Sequence, residues 1–559
     1  MKKISLLAII TFCMQSICVH AQWPTSTTVN VRMCTDANSQ TEATICRDGK
    51  GGAIVVWTDN RNGFSNNDIY AQRVDTNGVV KWAGGGVIIC SSANNQLYPV
   101  ITSDGNGGAI IAWYDQRITG NDDIYAQKID STGAVQWTAD GIVVCGAVNH
   151  QRQPQIISDS SGGAIIIWDD SRYAGSGVPY TVFAQKINSS GVPQWTADGI
   201  EVNTQNTGGG VSLSSLVSDG SGGAFISVQT VVSSTSIYMQ RITSTGTVWS
   251  TNGTLVDNSS TYILQHPKIA SDGAGGAFIS YLGHGIQLNR VNGTGQLLWT
   301  VPVSISDTTG TVADAGQQII ASGTGNAILI WEKGPSGARD VYGQKINSSG
   351  SKQWGIWGTA LASSATDEAE PYAVPTAAGG AVVTYINSNT SAFTQYVYAQ
   401  GIDNSGTLLW GSGGTPVSTA SYCAFSGFQS YMHPVIVPVG TGDAIVTWQD
   451  SRNGSNSNYT QKIFAYAAAT GIENLENQNS IAVYPNPFIT QTIFQSNKVF
   501  QDATLMVYNS FGQLVKQIKN ISGQTIVLQR DNLPGGLYFI CISEDNKIFT
   551  TDKLIITDN

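Results

Sequence analysis

One alanine, with the turn that leads into it, returns eight times along this chain, at Ala53, Ala109, Ala164, Ala224, Ala277, Ala327, Ala381 and Ala444, at intervals of 50–63 residues. Residues 98–109 and 266–277 show how similar the copies are. After its first residue each reads Pro-x-Ile-x-Ser-Asp-Gly-x-Gly-Gly-Ala. A period of this size with strand-like content restricts the chain to propeller blades or another repeat architecture, because a single unit cannot bury its apolar face alone. In the second copy four strands are expected, at 99–103, 109–114, 124–129 and 134–144, separated by a Gly-rich turn, a longer loop and the turn at Ser131-Thr132-Gly133. Four strands make a propeller blade. The glycines supply positive φ in the tight turns, and Asp104 can bond its own turn backbone. These hairpins loosely resemble the Asp-box hairpins of sialidase-type propellers.

A tryptophan follows each unit, expected in the fourth strand, at Trp82, Trp137, Trp195, Trp249, Trp299, Trp354 and Trp410. The eighth is Trp23, ahead of every other repeat element, while the last unit runs out after its third strand. The first strand of the mature chain should therefore complete the last blade, closing eight blades into a ring without open edges. An open solenoid would leave Trp23 unexplained. The tryptophans are expected as core wedges between blades. With a length of 559 residues, more than one core is required in any case.

The chain opens with Lys2 and Lys3, an apolar run over 4–18, then Val19-His20-Ala21, which reads as a signal peptide cleaved after residue 21. Gln15-Ser16-Ile17 lacks the small residue that a lipoprotein signal carries ahead of Cys18, and no later stretch is long and apolar enough for a membrane helix. A net charge of −10 argues against nucleic acid. Cys34, Cys46, Cys90, Cys145, Cys423 and Cys541 remain after cleavage, in neither a disulfide framework nor zinc spacing. Cys90 and Cys145 each stand eight residues after a repeat Trp and are read as small buried apolar residues.

The repeat ends near residue 470, and 471–480 is a polar linker. Beyond it come Tyr484-Pro485-Asn486-Pro487, a hairpin centred on Gly512, the strand Gly536-Leu537-Tyr538, and Lys553-Leu554-Ile555. Alternating short strands predict a small immunoglobulin-like β-sandwich over 481–559. The same landmarks, in this order, resemble the type A C-terminal sorting domain of type IX secretion. That resemblance implies periplasmic passage, recognition by the type IX machinery, translocation across the outer membrane of a Gram-negative bacterium, and removal of the tail, with the cargo released or attached to surface lipopolysaccharide. The fold class is thus all-β, with a signal peptide (1–21), an eight-bladed propeller (22–470), a linker (471–480) and a sorting sandwich (481–559). A monomer without cofactor is expected.

With the N-terminal strand outermost, the first strand of each unit is innermost, and the long variable loops share one face. Binding residues favour such loops, so a ligand site is placed there. Two residue sets converge on that face. The first precedes the turn Asp by six residues, beside the central channel: Glu42, Tyr98, Gln153, Leu213, His266, Gly316, Glu370 and His433. It changes from blade to blade while its neighbours repeat. The second is the Trp-x-Asp-x-Arg motif, giving Arg61, Arg117, Arg172 and Arg452 with Asp59, Asp115, Asp170 and Asp450. An arc of guanidinium groups suits the carboxylates or sulfates of an acidic glycan, and pairing of each Arg with its own Asp would instead pin the loop. The histidines have no metal spacing, and no nucleophile elbow or phosphate loop stands in a suitable context. Glu42 and Glu370 lie two blades apart, a wide separation for a glycosidase pair. The expected function is binding of a glycan or protein, with a carbohydrate-active enzyme of the sialidase or polysaccharide-lyase kind as the alternative and a structural surface module third.

Overall fold

The computed structural model describes residues 23–464 and 481–558, apart from 25, 177–179, 204–210, 232–234, 307–313, 390–393, 421–433, 441, 510–512 and 545–546. The expected signal peptide and linker, Cys423, His433 and Gly512 lie outside the described residues. The chain divides into two compact units, Met1–Ala465 and Tyr466–Asn559. Among the described residues the regular structure is all β except for one turn of 3₁₀ helix, and no helix is long and apolar enough to cross a membrane.

Among the described residues the first unit holds eight antiparallel four-stranded sheets of propeller-blade type. Sheet 1 is Gln40–Arg47, Ala53–Asp59, Asp68–Val74 and Val87–Cys90. Sheet 2 is Gln96–Ser103, Ala109–Asp115, Asp123–Ile129 and Ile142–Cys145, and sheets 3 to 7 repeat that order. Sheet 8 has three consecutive strands, Val435–Val439, Asp443–Asp450 and Ser457–Ile463, and is completed by Val31–Arg32, with Val31 opposite Thr460 and Arg32 opposite Tyr459. The first strand of each sheet lies beside the first strand of the next, and that of sheet 8 lies beside that of sheet 1.

Sheets stacked on both faces need strands that are apolar on both sides, and the second strands show it: every residue of Ala53–Asp59, Ala109–Asp115 and Ala164–Asp170 is buried. Their tryptophans, Trp57, Trp113 and Trp168, with Trp331 and Trp448, are the fully buried indoles. The turn before this strand is fixed by its Asp and by sterics. Asp104 Oδ1 accepts the N–H groups of Asn106 at 2.8 Å and Gly108 at 2.9 Å. A Cβ on Gly108 would stand 2.1 Å from the Ile129 carbonyl oxygen, so this glycine is required by lack of space.

The repeat tryptophans wedge between neighbouring sheets as expected, but at the margin of the core. They precede the fourth strands, which are shorter than the predicted 134–144, and of the eight only Trp23 and Trp354 are buried, the other six being partly buried against the clusters between sheets. Trp82, Trp137 and Trp195 lie over the turn of the following sheet, their Nε1 groups donating to the Ser131, Ser189 and Ser244 carbonyls, all at 3.3 Å, and Trp249 and Trp354 do the same with Gly293 and Asn404. An indole N–H needs a partner, and a surface turn carbonyl supplies it, which keeps the ring at the rim. Trp23 obeys the same rule with sheet 1, donating to Thr76 at 2.8 Å.

A second latch repeats inside seven of the eight sheets, where a third-strand glutamine donates to the carbonyl that follows the Trp: Gln72 to Ala83 at 2.7 Å, Gln127 to Thr138 at 2.8 Å, Gln344 to Gly355 at 2.7 Å; in sheet 5 Asn289 donates to the Trp299 carbonyl instead, at 3.3 Å. In sheet 8, Gln461 makes this bond at 2.7 Å to Pro24, 437 residues away. The N-terminal segment thus takes every role that a fourth strand has elsewhere.

The second unit is one five-stranded sheet built from Ile481–Tyr484, Gln491–Asn509, Leu514–Gln529, Gly536–Glu544 and Lys547–Ile556. The 19-residue strand pairs with the three before, after and beyond it, and Phe488, Phe494, Leu505, Val507, Ile540 and Leu554 form a single core. The motif residues hold the two ends together. Asn486 Oδ1 accepts the Ile555 N–H at 2.9 Å, Pro485 accepts the Thr492 hydroxyl at 2.7 Å, and the buried Tyr538 donates its hydroxyl to Pro534 at 2.8 Å. Gly536 pairs with Ile556 and Lys553 with Phe539. Tyr484 is half exposed.

Candidate functional site

The position that varies from unit to unit has a backbone explanation. In sheets 1 to 7 the register between first and second strands slips by one residue at the same place, between Thr41 and Thr44, Leu97 and Val100, Arg152 and Gln155, and their equivalents. Two residues of the innermost strand there oppose one of its neighbour, a β-bulge. The first of the two is the variable residue, and it is left-handed: φ is +57° at Glu42, +52° at Tyr98, +51° at Gln153, +55° at His266, +59° at Gly316 and +56° at Glu370. For a residue other than glycine this conformation costs about 1 kcal/mol or more and persists only where the surroundings enforce it. Five side chains of four kinds are thus held in one uncommon geometry around the innermost strands. Leu213 stands at the corresponding slip of sheet 4. His433 is outside the described residues.

The surroundings that enforce it come from the preceding sheet. Glu42 accepts the Thr58 hydroxyl at 2.7 Å and the Tyr98 N–H at 2.6 Å, joining sheets 1 and 2. Gln229 Oε1 accepts the His266 N–H at 3.2 Å, and Glu332 Oε1 accepts the Glu370 N–H at 2.7 Å while its other oxygen pairs with Arg339 at 2.8 Å. Tyr98 stacks on Tyr114 with centroids 5.4 Å apart. Thr58, Tyr114, Gln229 and Glu332 all occupy the sixth residue of a second strand, as does Asp169. Sequence reasoning missed this position. Its signal was present, since the sixth residue from the repeat alanine changes from copy to copy (Thr58, Tyr114, Asp169, Gln229, Leu282, Glu332, Ile386, Gln449) behind five that are mostly apolar.

Burial sets the electrostatics here. Asp169 is 9% exposed, and removal from water alone pushes its carboxyl up to about 7. Burial also raises Glu42, against the lowering effect of its bonds to Thr58 and Tyr98. His266 is lowered by burial and by the nearby charge of Lys268, so its imidazole is neutral near pH 7.

The arginine set is held elsewhere. Arg117 grips Asp115 with Nε at 2.9 Å and a terminal nitrogen at 2.7 Å, and that nitrogen also reaches the Asp140 carbonyl at 2.8 Å and Cys90 Sγ at 3.4 Å. Its guanidinium lies 3.7 Å from the centroid of Tyr125. Arg61 repeats this with Asp59, Gly85, Cys34 and Tyr70, and Arg172 with Asp170, Asp198, Cys145 and Phe183. Arg452 pairs with Asp450 and reaches Ser418 and Asn30. Each side chain therefore folds back between its own sheet and the outer strand of the preceding one, away from the bulge ring. Cys90 and Cys145 are buried as expected, and they also serve as soft contacts for guanidinium groups. Burial pushes both thiols up to about 12. Among the described residues no cluster of His, Cys, Asp or Glu is arranged to hold a metal.

Residues 482–557 match the family of secretion system C-terminal sorting domains. No curated protein matches the chain in sequence. Similar solved structures include the α-L-arabinanase of Penicillium chrysogenum complexed with arabinobiose, 12% identical over 56% of this chain and 93% of that one, with a TM-score of 0.33. The GH93 α-L-arabinofuranosidase of Fusarium graminearum with arabinobiose is 10% identical over 56% and 92%, with a TM-score of 0.35. The β-propeller domain of the Trilobed protease from Pyrococcus furiosus is 10% identical over 65% and 94%, with a TM-score of 0.36. At these scores the likenesses carry no argument about function.

Proposed function

The chain ends in a type IX secretion sorting domain and is a secreted or cell-surface protein; from that premise we propose that its exported body is a closed eight-bladed propeller that binds a glycan at the mouth of its central channel. In this reading residues 1–21 are the signal peptide, 22–470 the propeller and 481–559 the sorting domain, which folds as one five-stranded sheet rather than the expected two-sheet sandwich and is removed after export, leaving the propeller free or on surface lipopolysaccharide. The bulge ring is the observation that carries it. A strained backbone repeated in successive innermost strands, bearing Glu42, Tyr98, Gln153, His266 and Glu370, is a rigid frame with interchangeable side chains. An aromatic platform at Tyr98 and Tyr114 beside hydrogen-bonding groups suits a sugar, which offers C–H faces and hydroxyls together.

The test is a glycan array with the secreted chain, followed by Tyr98→Ala and His266→Ala. Binding that both variants weaken, with melting temperatures within a few degrees of wild type, supports the reading. Specific capture of a protein and of no glycan would reject it. One observation favours turnover as a second reading: the buried Asp169 carboxyl, at about 7, is a proton donor near neutral pH. Release of reducing ends from a bound glycan, lost in Asp169→Asn, would establish it.

A further inference from the structure

Two residues beyond each bulge, the innermost strand carries a half-buried side chain. In sheets 1, 3, 6 and 7 these are the neutral Thr44, Gln155, Gln318 and Tyr372, and in sheet 5 it is Lys268. Its ammonium makes no ion pair or hydrogen bond among the described residues, and burial alone disfavours its charged form. Ala270, on the same side of the strand, packs with Ile319 and Leu329, so Lys268 faces the sixth sheet. The bulge residue of that sheet is Gly316, the member of the ring without a side chain. The nearby Glu332 is already engaged by Arg339 and the Glu370 N–H. His266 stands beside Lys268 at the mouth, its carbonyl fixed by Gln317 Nε2 at 2.6 Å.

A half-buried ammonium with no protein partner loses part of its hydration without compensation, and a neutral residue of similar size would avoid that cost. We propose that Lys268, with the imidazole of His266 above it, forms an anion site in the throat of the channel that takes the carboxylate or sulfate group of an acidic glycan. The proposal rests on the reading of the channel mouth as the ligand face. The ligand's negative group replaces the missing partner, and its sugar ring is left at the level of the bulge side chains.

Isothermal titration of the full secreted chain separates the possibilities, using an oligogalacturonate, a sulfated galactan oligosaccharide and a neutral galactan oligosaccharide of equal length, with wild type, Lys268→Met and Lys268→Arg. Wild type should bind one acidic probe about tenfold or more tighter than the neutral one, since a charge-assisted bond has that value. Lys268→Met should lose the preference and Lys268→Arg retain part of it. Which acidic probe wins identifies carboxylate or sulfate. Without ligand, Lys268→Met should melt no lower than wild type. An acidic preference that survives in Lys268→Met, a wild type with no acidic preference, or a ligand-free Lys268→Met that melts several degrees lower would each overturn the proposal. The two readings fail separately. If glycans bind through Tyr98 and His266 and ignore Lys268, the throat site alone is rejected. If no oligosaccharide binds but free galacturonate or sulfate raises the melting temperature of wild type and not of Lys268→Met, the glycan reading alone is rejected.

Discussion

Replacing Arg117 with methionine should cost stability and leave ligand affinity unchanged. Asp115 is fully buried, and its two oxygens take the guanidinium at 2.9 and 2.7 Å. Removing one partner of a buried pair costs about 3–5 kcal/mol, because the other charge stays in the protein without compensation. Here Asp115 keeps the Trp113 indole N–H and the backbone N–H of residue 117, both at 2.9 Å, which puts the effect at the low end. Loss of the contact with Tyr125 adds about 0.5–1 kcal/mol, for a total of roughly 3–4 kcal/mol. Arg117→Lys should recover little, since an ammonium cannot span both carboxylate oxygens. Urea denaturation of Arg117→Met, Asp115→Asn and the double variant measures the coupling directly, and the double variant should be less destabilised than the sum of the two. A melt within a degree of wild type, together with lost glycan binding, would refute this reasoning and return the arginines to a ligand site.

Gly108→Ala should prevent sheet 2 from closing its first hairpin, because the added Cβ meets the Ile129 carbonyl at 2.1 Å; a loss of soluble yield is expected, and a normal melt would contradict it. Asp169 has a folded pKa near 7, above the unfolded value of about 3.9. The native state therefore binds the extra proton between these values, so the favourable contribution is complete below about pH 4 and is lost as pH rises to about 7, by on the order of 4 kcal/mol. Asp169→Asn should melt higher than wild type at pH 8, with the gap closing toward pH 4; parallel curves across that range would contradict the burial of this carboxyl. Deleting residues 482–557 should leave the first unit inside the cell envelope on immunoblots of culture fractions, and normal amounts in the medium or on the surface would remove the sorting role.

The repeat and its turn chemistry were legible because they rest on local requirements. A Gly where no Cβ fits and an Asp that caps its own turn leave marks at fixed spacing, as at Asp104 and Gly108. The place of Trp23 was legible for the same reason, as a repeat element out of order. What remained hidden depended on partners distant in sequence. Nothing local shows that Trp82 lies at the margin of the core with its N–H on the turn of the next sheet, or that Gln461 waits for the carbonyl of Pro24. The variable ring was found as a position, and its left-handed backbone was not, since Glu, Tyr, Gln and His carry no sign of positive φ. The regular spacing of Arg117 and Asp115 already pointed to their pairing, while the ring partner and Cys90 that complete the grip were hidden.

The account stands on a ring closed by the N-terminal strand, and a cross-link tests it most directly. Val31 and Thr460 are cross-strand partners, close enough for a disulfide once both are cysteine. In the purified Val31→Cys/Thr460→Cys variant, mild oxidation should give a faster-migrating species on non-reducing gels and one linked peptide pair containing positions 31 and 460 by mass spectrometry, with a raised melting temperature. Thiols at both positions that stay reduced, in a chain that melts as wild type does, would show that the N-terminal strand does not close the last sheet.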